Sequence, residues 1–312
     1  MRSAAAEPFA RKVPFKARFK KSLPIYALLL PGVVLLLFFH YVPIFGIIIG
    51  FEDFSPYKGI FGSPWVGFKH FIRFLTDPNF WRVMRNTLII NIYQLFFGFP
   101  FPIIFALFLN ELWSSKSKKA IQTISYLPHF LSWVIVASLF RNMLSPSQGV
   151  INGLIEFFGG EPIYFLTKTP YFRTIIIIQS VWKGFGMSAV YYIASLSSID
   201  TQLYEAAAID GAGRLRQTWH ITLPGLRNII IVLLVLQMGS MITIGFEQIY
   251  LMYNDPVYAV GDVISTYVYR LGIESTQFSY TAAIGVTQNI VNFLLVFSAN
   301  KLSRSIAGWS LW

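Results

Sequence analysis

The chain has 312 residues, of which 55% are hydrophobic and only 12% charged. Soluble domains carry about 25% charged residues, and a water-soluble fold of this length could not bury so much apolar surface. The net charge of +11 would elsewhere suggest nucleic acid, but seven basic residues lie in the first 21 positions, which is typical of the cytoplasmic flank of a membrane helix. The absence of cysteine excludes disulfides, thiolate metal sites and a cysteine nucleophile.

A membrane-spanning helix needs about 20 mostly apolar residues. After a basic N-terminal tail, residues 1–24, the sequence predicts one transmembrane domain over 25–312 with six spans. The third span is interrupted in its first half by Pro128 and His129. The predicted spans are 25–49, 87–110, 121–141, 173–196, 228–250 and 279–300.

The distribution of lysine and arginine predicts the orientation of these spans. With the N-terminus inside the cell, 15 basic residues lie on the cytoplasmic side and nine outside, while Lys183 lies within a span. Because cytoplasmic loops carry the excess of basic residues, we expect both termini in the cytoplasm.

The loop between the fourth and fifth spans, residues 198–227, has a clear local pattern. Asp200 is a good N-cap for a short helix over Thr201–Ile209, and Gly211 is placed to end that helix in a left-handed conformation. A second helix can start near Arg214, and Pro224 marks the approach to the fifth span. On composition alone, an ordinary solvated loop and a docking element for another protein both remain open.

The loop contains Glu205-Ala206-Ala207, then Gly211 four positions after the last alanine, then Ile221, Leu223 and Pro224. In residue type and spacing, this pattern resembles the EAA loop of ATP-binding-cassette importer permeases. Stretches such as 127–133 and 267–270 are similar to the carbohydrate-uptake branch of that family, which includes rhamnogalacturonan-oligosaccharide and alginate importers. The resemblance runs from about residue 25 to the C-terminus. The residues that it implies as ATPase-docking contacts are Glu205, Ala206, Ala207, Asp210, Gly211, Ile221, Leu223 and Pro224.

The resemblance implies an all-α integral membrane protein of the type I, MetI-like architecture, with six transmembrane helices and a cytoplasmic coupling helix. It implies import of an oligosaccharide, including acidic ones of the pectin or alginate type, by alternating access. The implied partners are a second homologous permease, two ATP-binding subunits, an extracytoplasmic solute-binding protein, the oligosaccharide and the lipid bilayer, with no nucleic acid. This chain would hold no cofactor, because ATP and Mg²⁺ would bind the partner ATPase subunits.

Polar groups inside membrane spans are costly and are therefore functional candidates. A sugar site combines aromatic plates with amide or carboxylate hydrogen-bond partners. For Lys183 we consider three roles: attraction of an acidic oligosaccharide, an ion pair with Glu247, or hydrogen bonds to backbone carbonyls near Gly184 and Gly186. The substrate-pathway candidates are Gln94, Gln179, Trp182, Lys183, Tyr191 and Glu247.

The sequence offers little for catalysis. It contains no Gly-Lys pair for a phosphate-binding loop and no Gly-x-Ser-x-Gly motif, and its four histidines are dispersed. We therefore expect no catalytic residues and no metal site. The alternative classes are a secondary transporter, which would usually show internal repeats and intramembrane acids, and a polytopic enzyme of glycan or lipid metabolism.

Overall fold

The computed structural model describes residues 15–112 and 114–307, and these residues are almost entirely helical. The predicted all-α architecture is confirmed. Within the described ranges, extended pairing is limited to one antiparallel bridge between Glu52 and Trp65. Most of the basic tail, residues 1–14, lies outside the described residues.

The loop at residues 198–227 is called the coupling loop. The helices that precede it begin with one long helical run. In α1 and the segments that continue it, residues 23–45 are all exposed. The helices are α1 (Phe15–Leu36, continued by a π turn at Leu37–Tyr41 and a 3₁₀ segment at Val42–Phe51), α2 (Lys69–Thr76), α3 (Pro78–Tyr93), α4 (Pro100–Asn110), α5 (Ser115–Tyr126), α6 (Trp133–Met143), α7 (Val150–Phe157) and α8 (Thr169–Leu196).

The second half of the chain contains the coupling loop and two further long helices. The helices are α9 (Thr201–Ile209), α10 (Arg214–Gln217), α11 (Leu223–Met238), α12 (Phe246–Met252), α13 (Tyr258–Gly261), α14 (Ile264–Tyr269) and α15 (Phe278–Ala307). Short 3₁₀ turns lie at Ile60–Gly62, Leu127–Phe130 and Asp255–Val257.

Proline accounts for three of the four π turns in the described ranges. The turns Leu37–Tyr41, Gln94–Gly98 and Thr218–Thr222 each end two residues before a proline, and the fourth is Arg270–Glu274. Proline lacks an N–H and its ring clashes with the carbonyl four residues earlier, so the helix widens locally instead of breaking. Consequently α3 runs into α4 as one long helix, and α10 runs into α11.

By length and composition, four described helices can cross a membrane: Ser22–Phe51, Pro78–Asn110, Arg214–Met238 and Phe278–Ser305. A fifth is obtained if Ser115–Phe130 and Trp133–Met143 count as one span. The predicted fourth span lies in α8, whose 28 residues would extend about 42 Å. It is less apolar than those four helices because it carries Arg173, Gln179 and Lys183.

Two predicted spans are not continuous helices. The third is bent by 101° between Phe130 and Trp133. The fifth, predicted over 228–250, ends as a helix at Met238, and α12 starts only at Phe246. At the second break a Cβ atom on Gly239 would lie 2.5 Å from the side chain of Val296, so glycine permits the close approach of α15.

The core consists of three clusters of buried apolar side chains. One joins α8 to α12, a second joins α2 and α3 to α14 and α15, and a third joins α4, α8 and α11. Because α8 contributes to the first and the third, it is the central helix of the chain. It also crosses α5 closely at Gly186, where a Cβ atom would collide with the backbone of Ser125.

Candidate functional site

The coupling helix α9 forms as its local sequence predicts. The Asp200 carboxylate accepts a hydrogen bond from the backbone N–H of Gln202 at 2.9 Å, which caps the start of the helix. Gly211 has φ +76°, and the N–H of Ala212 donates to the Ala207 carbonyl at 2.8 Å. This left-handed glycine cap ends the helix where expected.

Side chains tie the coupling loop to the membrane helices. The hydroxyls of Tyr204 and Thr222 lie 3.0 Å apart, so α9 is held against the start of α11. Arg214 pairs with Glu111 at 3.3 Å, at the end of α4. Ile199 packs on Gly225, where a Cβ atom would lie 2.6 Å from Cδ1 of the isoleucine. The loop is therefore attached to two spans and is not a free solvated segment.

The eight predicted docking residues fall into two groups. Glu205, Ala206, Asp210, Gly211 and Pro224 are exposed, whereas Ala207, Ile221 and Leu223 are half-buried.

Large apolar side chains surround the exposed group. Ile209 and Leu215 are each 88% exposed, and Trp219 is 70% exposed. An exposed apolar patch of this kind marks an interaction surface.

A polar cavity of about 270 Å³ lies between the π turn at Gln94–Gly98, α8 and α11. Its polar lining side chains are Gln94, Ser188, Tyr191, Tyr192 and Gln237. Gln94 and Tyr191 are among the residues that the sequence predicts, whereas Ser188 and Gln237 are not. Gln237 carries the same signal as Gln94, an amide within an apolar span, and could have been found in that way.

Gln94 has a distinctive environment at the edge of this cavity. Its side-chain amide lies over Gly98, where a Cβ atom would clash with it. Its Oε1 atom is buried and accepts no hydrogen bond from the described residues. A buried acceptor without a donor costs about 1–3 kcal/mol, so a hydroxyl that enters this cavity would relieve that cost.

Gln179 does not line the cavity. It is completely buried, accepts a hydrogen bond from Gln248 at 3.3 Å and donates to the Met252 sulfur. Gln248 also donates to the Ile176 carbonyl at 2.8 Å and accepts from Ser180 at 2.9 Å. This network joins α8 to α12.

Lys183 contacts the break in the third predicted span. Its Nζ atom donates to the carbonyl oxygens of His129 and Leu131 at 2.7 and 2.6 Å and lies 5.4 Å from the Trp133 ring centroid. Backbone carbonyls were one of the three alternatives, but they belong to this other segment and not to Gly184 or Gly186. The structure does not pair Lys183 with Glu247, which is exposed at the start of α12.

Trp182, the remaining candidate, lies between two apolar grooves and packs edge-on against Phe140. Of the six predicted pathway residues, the structure therefore brings only Gln94 and Tyr191 together in one polar cavity.

A buried ion cluster that the sequence pattern did not reveal lies at the opposite end of the bundle from the coupling loop. Asp262 is fully buried and pairs with Arg270 at 2.8 Å and Arg82 at 3.4 Å. Burial alone would lower the pKa of Arg270, but its hydrogen bonds to Asp262 and the charge of that carboxylate raise the pKa above its ordinary value. Asn86 donates to the Asp262 carbonyl at 2.9 Å and accepts from Arg173 at 2.9 Å. The cluster thus connects α3, α8 and α14.

A helical bundle with broken spans, a polar cavity between helices and a tethered helix outside the spans is the arrangement expected of a membrane permease. The chain belongs to the family of binding-protein-dependent transport system inner membrane components, whose family model matches residues 91–308. The predicted resemblance to ATP-binding-cassette importer permeases is confirmed.

Two relatives from Bacillus subtilis (strain 168) align over nearly the whole chain. The polygalacturonan/rhamnogalacturonan transport system permease protein YteP is 46% identical, over 97% of this chain and 98% of that protein. Protein LplB is 43% identical, over 97% of this chain and 95% of that protein.

Solved structures show the same fold. One is the crystal structure of a bacterial ABC transporter involved in the import of the acidic polysaccharide alginate, with TM-score 0.86 and 40% identity over 93% of this chain and 98% of that chain. Another is the bacterial alginate ABC transporter in complex with alginate pentasaccharide-bound periplasmic protein, with TM-score 0.86 and 39% identity over 95% and 99% of the two chains.

Proposed function

We propose that this chain is the membrane subunit of an importer for acidic oligosaccharides and that separate ATPase subunits drive it. The observation that carries the proposal is the exposed coupling helix α9, whose Tyr204 is held against Thr222 at the start of α11. The adjacent α10 pairs with the end of α4 through Arg214 and Glu111. A rigid element of this kind can transmit the movement of a docked ATPase into the membrane helices. ATP and Mg²⁺ bind the ATPase, and this chain has no catalytic role and no metal.

The relatives support an acidic substrate. YteP is named for polygalacturonan and rhamnogalacturonan, and the transporter of similar structure imports alginate, an acidic polysaccharide. The cavity at Gln94 and Tyr191 offers an aromatic ring beside an amide acceptor that lacks a donor. A sugar presents C–H faces and hydroxyl donors, which match both features.

The proposed complex contains a second permease, two ATPase subunits and a solute-binding protein. The exposed helix at residues 23–45 supports the second permease, because the other residues that the structure describes leave its side chains exposed. The 3₁₀ segment at its end, Val42–Phe51, packs on α15, where a Cβ atom on Gly50 would lie 3.2 Å from the Ala283 nitrogen.

Transport assays with the reconstituted complex test the cavity. Gln94→Ala and Tyr191→Ala should each lower the uptake of galacturonate oligosaccharides by about tenfold, a loss of about 1.4 kcal/mol each. Tyr164→Ala is the matched control, because Tyr164 is 59% exposed against 56% for Tyr191 and lies in the loop before α8, outside the cavity lining. Unchanged uptake in both cavity variants would remove the cavity from the pathway.

The orientation can be tested directly because the chain has no cysteine. We propose that α9 faces the cytoplasm. Asp210→Cys should then be labelled by an impermeant maleimide only after the cells are opened, whereas Lys58→Cys should be labelled in intact cells. Labelling of Asp210→Cys in intact cells would contradict the coupling role.

A further inference from the structure

Two large apolar grooves lie on the surface of the bundle, one on each side of a ridge on α8. The first, about 810 Å³, lies between α8 and the helix formed by α3 and α4, and Phe97, Phe101 and Phe185 contribute to its wall. The second, about 560 Å³, lies between α8 and α6. Thr174, Ile178 and Trp182 line both grooves.

The walls of the grooves exclude a sugar as the occupant. Apart from Tyr93, Thr174 and Trp182, the side chains that line the first groove are hydrocarbon, and Phe97 and Ile178 are 64% and 52% exposed. A sugar hydroxyl placed there would lose its hydrogen bonds to water without replacement, which is costly. The grooves instead match the cross-section of hydrocarbon chains.

Two arginines precede the first groove along its two helices: Arg173 comes just before Thr174 of the groove, and Arg85 lies eight residues before Tyr93. Arg173, near the start of α8, donates hydrogen bonds to the Asn86 side chain at 2.9 Å and to the Val260 carbonyl at 3.3 Å, and Arg85 is the residue before Asn86 on α3. Arg85 is exposed and makes no hydrogen bond or ion pair with the described residues, while Asp262 is already held by Arg270 and Arg82. Two neighbouring cations without a carboxylate between them attract an anion.

The length of the groove along its helices, measured from the arginines, matches the hydrocarbon thickness of one bilayer leaflet. Phe97 lies twelve residues beyond Arg85, and Phe185 lies twelve residues beyond Arg173, which corresponds to about 18 Å along each helix. One leaflet contributes about 15 Å of hydrocarbon. A charged head at the arginines therefore places its chains along the grooves.

We propose that this surface binds an anionic phospholipid, with its phosphate at Arg85 and Arg173 and its two acyl chains on either side of the ridge formed by Thr174, Ile178 and Trp182. Charge complementarity selects this occupant, because such a lipid supplies the anion and both apolar chains in one molecule. A helix of a partner subunit would need an acidic side chain at the same level.

Native mass spectrometry of the complete transporter complex tests the proposal, with phosphatidylglycerol and phosphatidylcholine of identical chains as probes. Wild type should retain phosphatidylglycerol in preference to phosphatidylcholine. Arg85→Gln should weaken phosphatidylglycerol binding about fivefold, the effect of one basic residue near an anionic lipid. Lys58→Gln, which removes an exposed cation from the loop before α2, should change nothing, and inorganic phosphate should not displace the lipid.

A second pair of variants tests the grooves separately from the charge. Ile178→Trp should reduce the retention of both lipids, whereas Ile290→Trp, at a similarly exposed isoleucine on α15 outside both grooves, should not. Equal retention of the two lipids by wild type would overturn the proposal, as would unchanged binding in Arg85→Gln or in Ile178→Trp. Capture of a partner permease by a photocrosslinker at position 178 would assign the groove to a protein instead.

Discussion

The Nζ atom of Lys183 donates a hydrogen bond to the carbonyl oxygen of Leu131 at 2.6 Å, across 52 positions of sequence. This contact places the charged side chain of α8 at the gap between the two halves of the third predicted span. Backbone groups at membrane depth must be satisfied within the protein, because lipid offers no hydrogen bonds. Lys183 therefore supplies hydrogen bonds to backbone carbonyls at the break, where the helical hydrogen bonds stop.

Replacement of Lys183 should affect the fold before it affects substrate choice. We expect Lys183→Met to destabilise the purified complex by about 2 kcal/mol, because charged hydrogen bonds to two carbonyls are lost from a half-buried position. Uptake should fall equally for acidic and neutral oligosaccharides, and Lys183→Arg should retain most of it. A selective loss of acidic substrates, with unchanged thermal stability, would instead support direct contact with the substrate.

Gly211 and Gly213 form a matched pair in the coupling loop. A Cβ atom added at either glycine would have no neighbour within 4 Å, but Gly211 has φ +76° and Gly213 has φ −67°. Gly211→Ala should therefore cost about 1 kcal/mol in the loop conformation and weaken co-purification of the ATPase, because only Gly211 needs the left-handed region. The Gly213→Ala variant should co-purify with the ATPase as the wild type does. Equal behaviour of the two variants would show that the cap conformation does not matter for docking.

The contact between Ile199 and Gly225 should transmit movement of the coupling loop to α11. We expect Gly225→Val to displace Ile199 and to lower transport-coupled ATP hydrolysis, because a Cβ atom would lie 2.6 Å from Cδ1 of the isoleucine. Removing the opposing side chain with Ile199→Ala in the same chain should restore part of the activity. The prediction fails if the double variant is no better than Gly225→Val alone.

Asp77 links the start of α3 to two tyrosines. Its carboxylate accepts hydrogen bonds from Tyr267 at 2.6 Å, Tyr280 at 3.1 Å and the Asn79 N–H at 2.9 Å. Burial alone would raise the pKa of Asp77, but these hydrogen bonds together lower it below its ordinary value. The contact is therefore strongest when the carboxylate is ionised.

A carboxylate with a lowered pKa in the folded state contributes stability above its unfolded pKa, about 3.9, and loses it as the pH falls through the folded value. Between pH 6 and pH 3, the melting temperature of wild type should therefore decrease more steeply than that of Asp77→Asn. Asparagine retains the N-cap but cannot titrate. Parallel pH profiles would contradict this assignment.

The break in the fifth predicted span shows the limit of local sequence information. The N–H of Ile242 donates to Asn292 at 3.3 Å, and Gln288 donates to the Ile242 carbonyl. Both partners lie on α15, about 50 positions away in sequence. An apolar window cannot show that a distant amide will satisfy an interrupted helix, so the sequence pattern predicts 228–250 as one span.

By itself, the sequence determined the membrane class and the conformation of the coupling loop, and its resemblance to known importer permeases indicated the family. The class and the loop conformation depend on local physics: the length of apolar segments against the bilayer, the Asp200 cap and the left-handed Gly211. Only the tertiary structure decided where spans break and which intramembrane polar groups line a cavity. Gln94 and Tyr191 line a cavity, whereas Lys183 donates hydrogen bonds to the backbone of another segment, because burial and hydrogen bonding depend on neighbours that chain order does not specify.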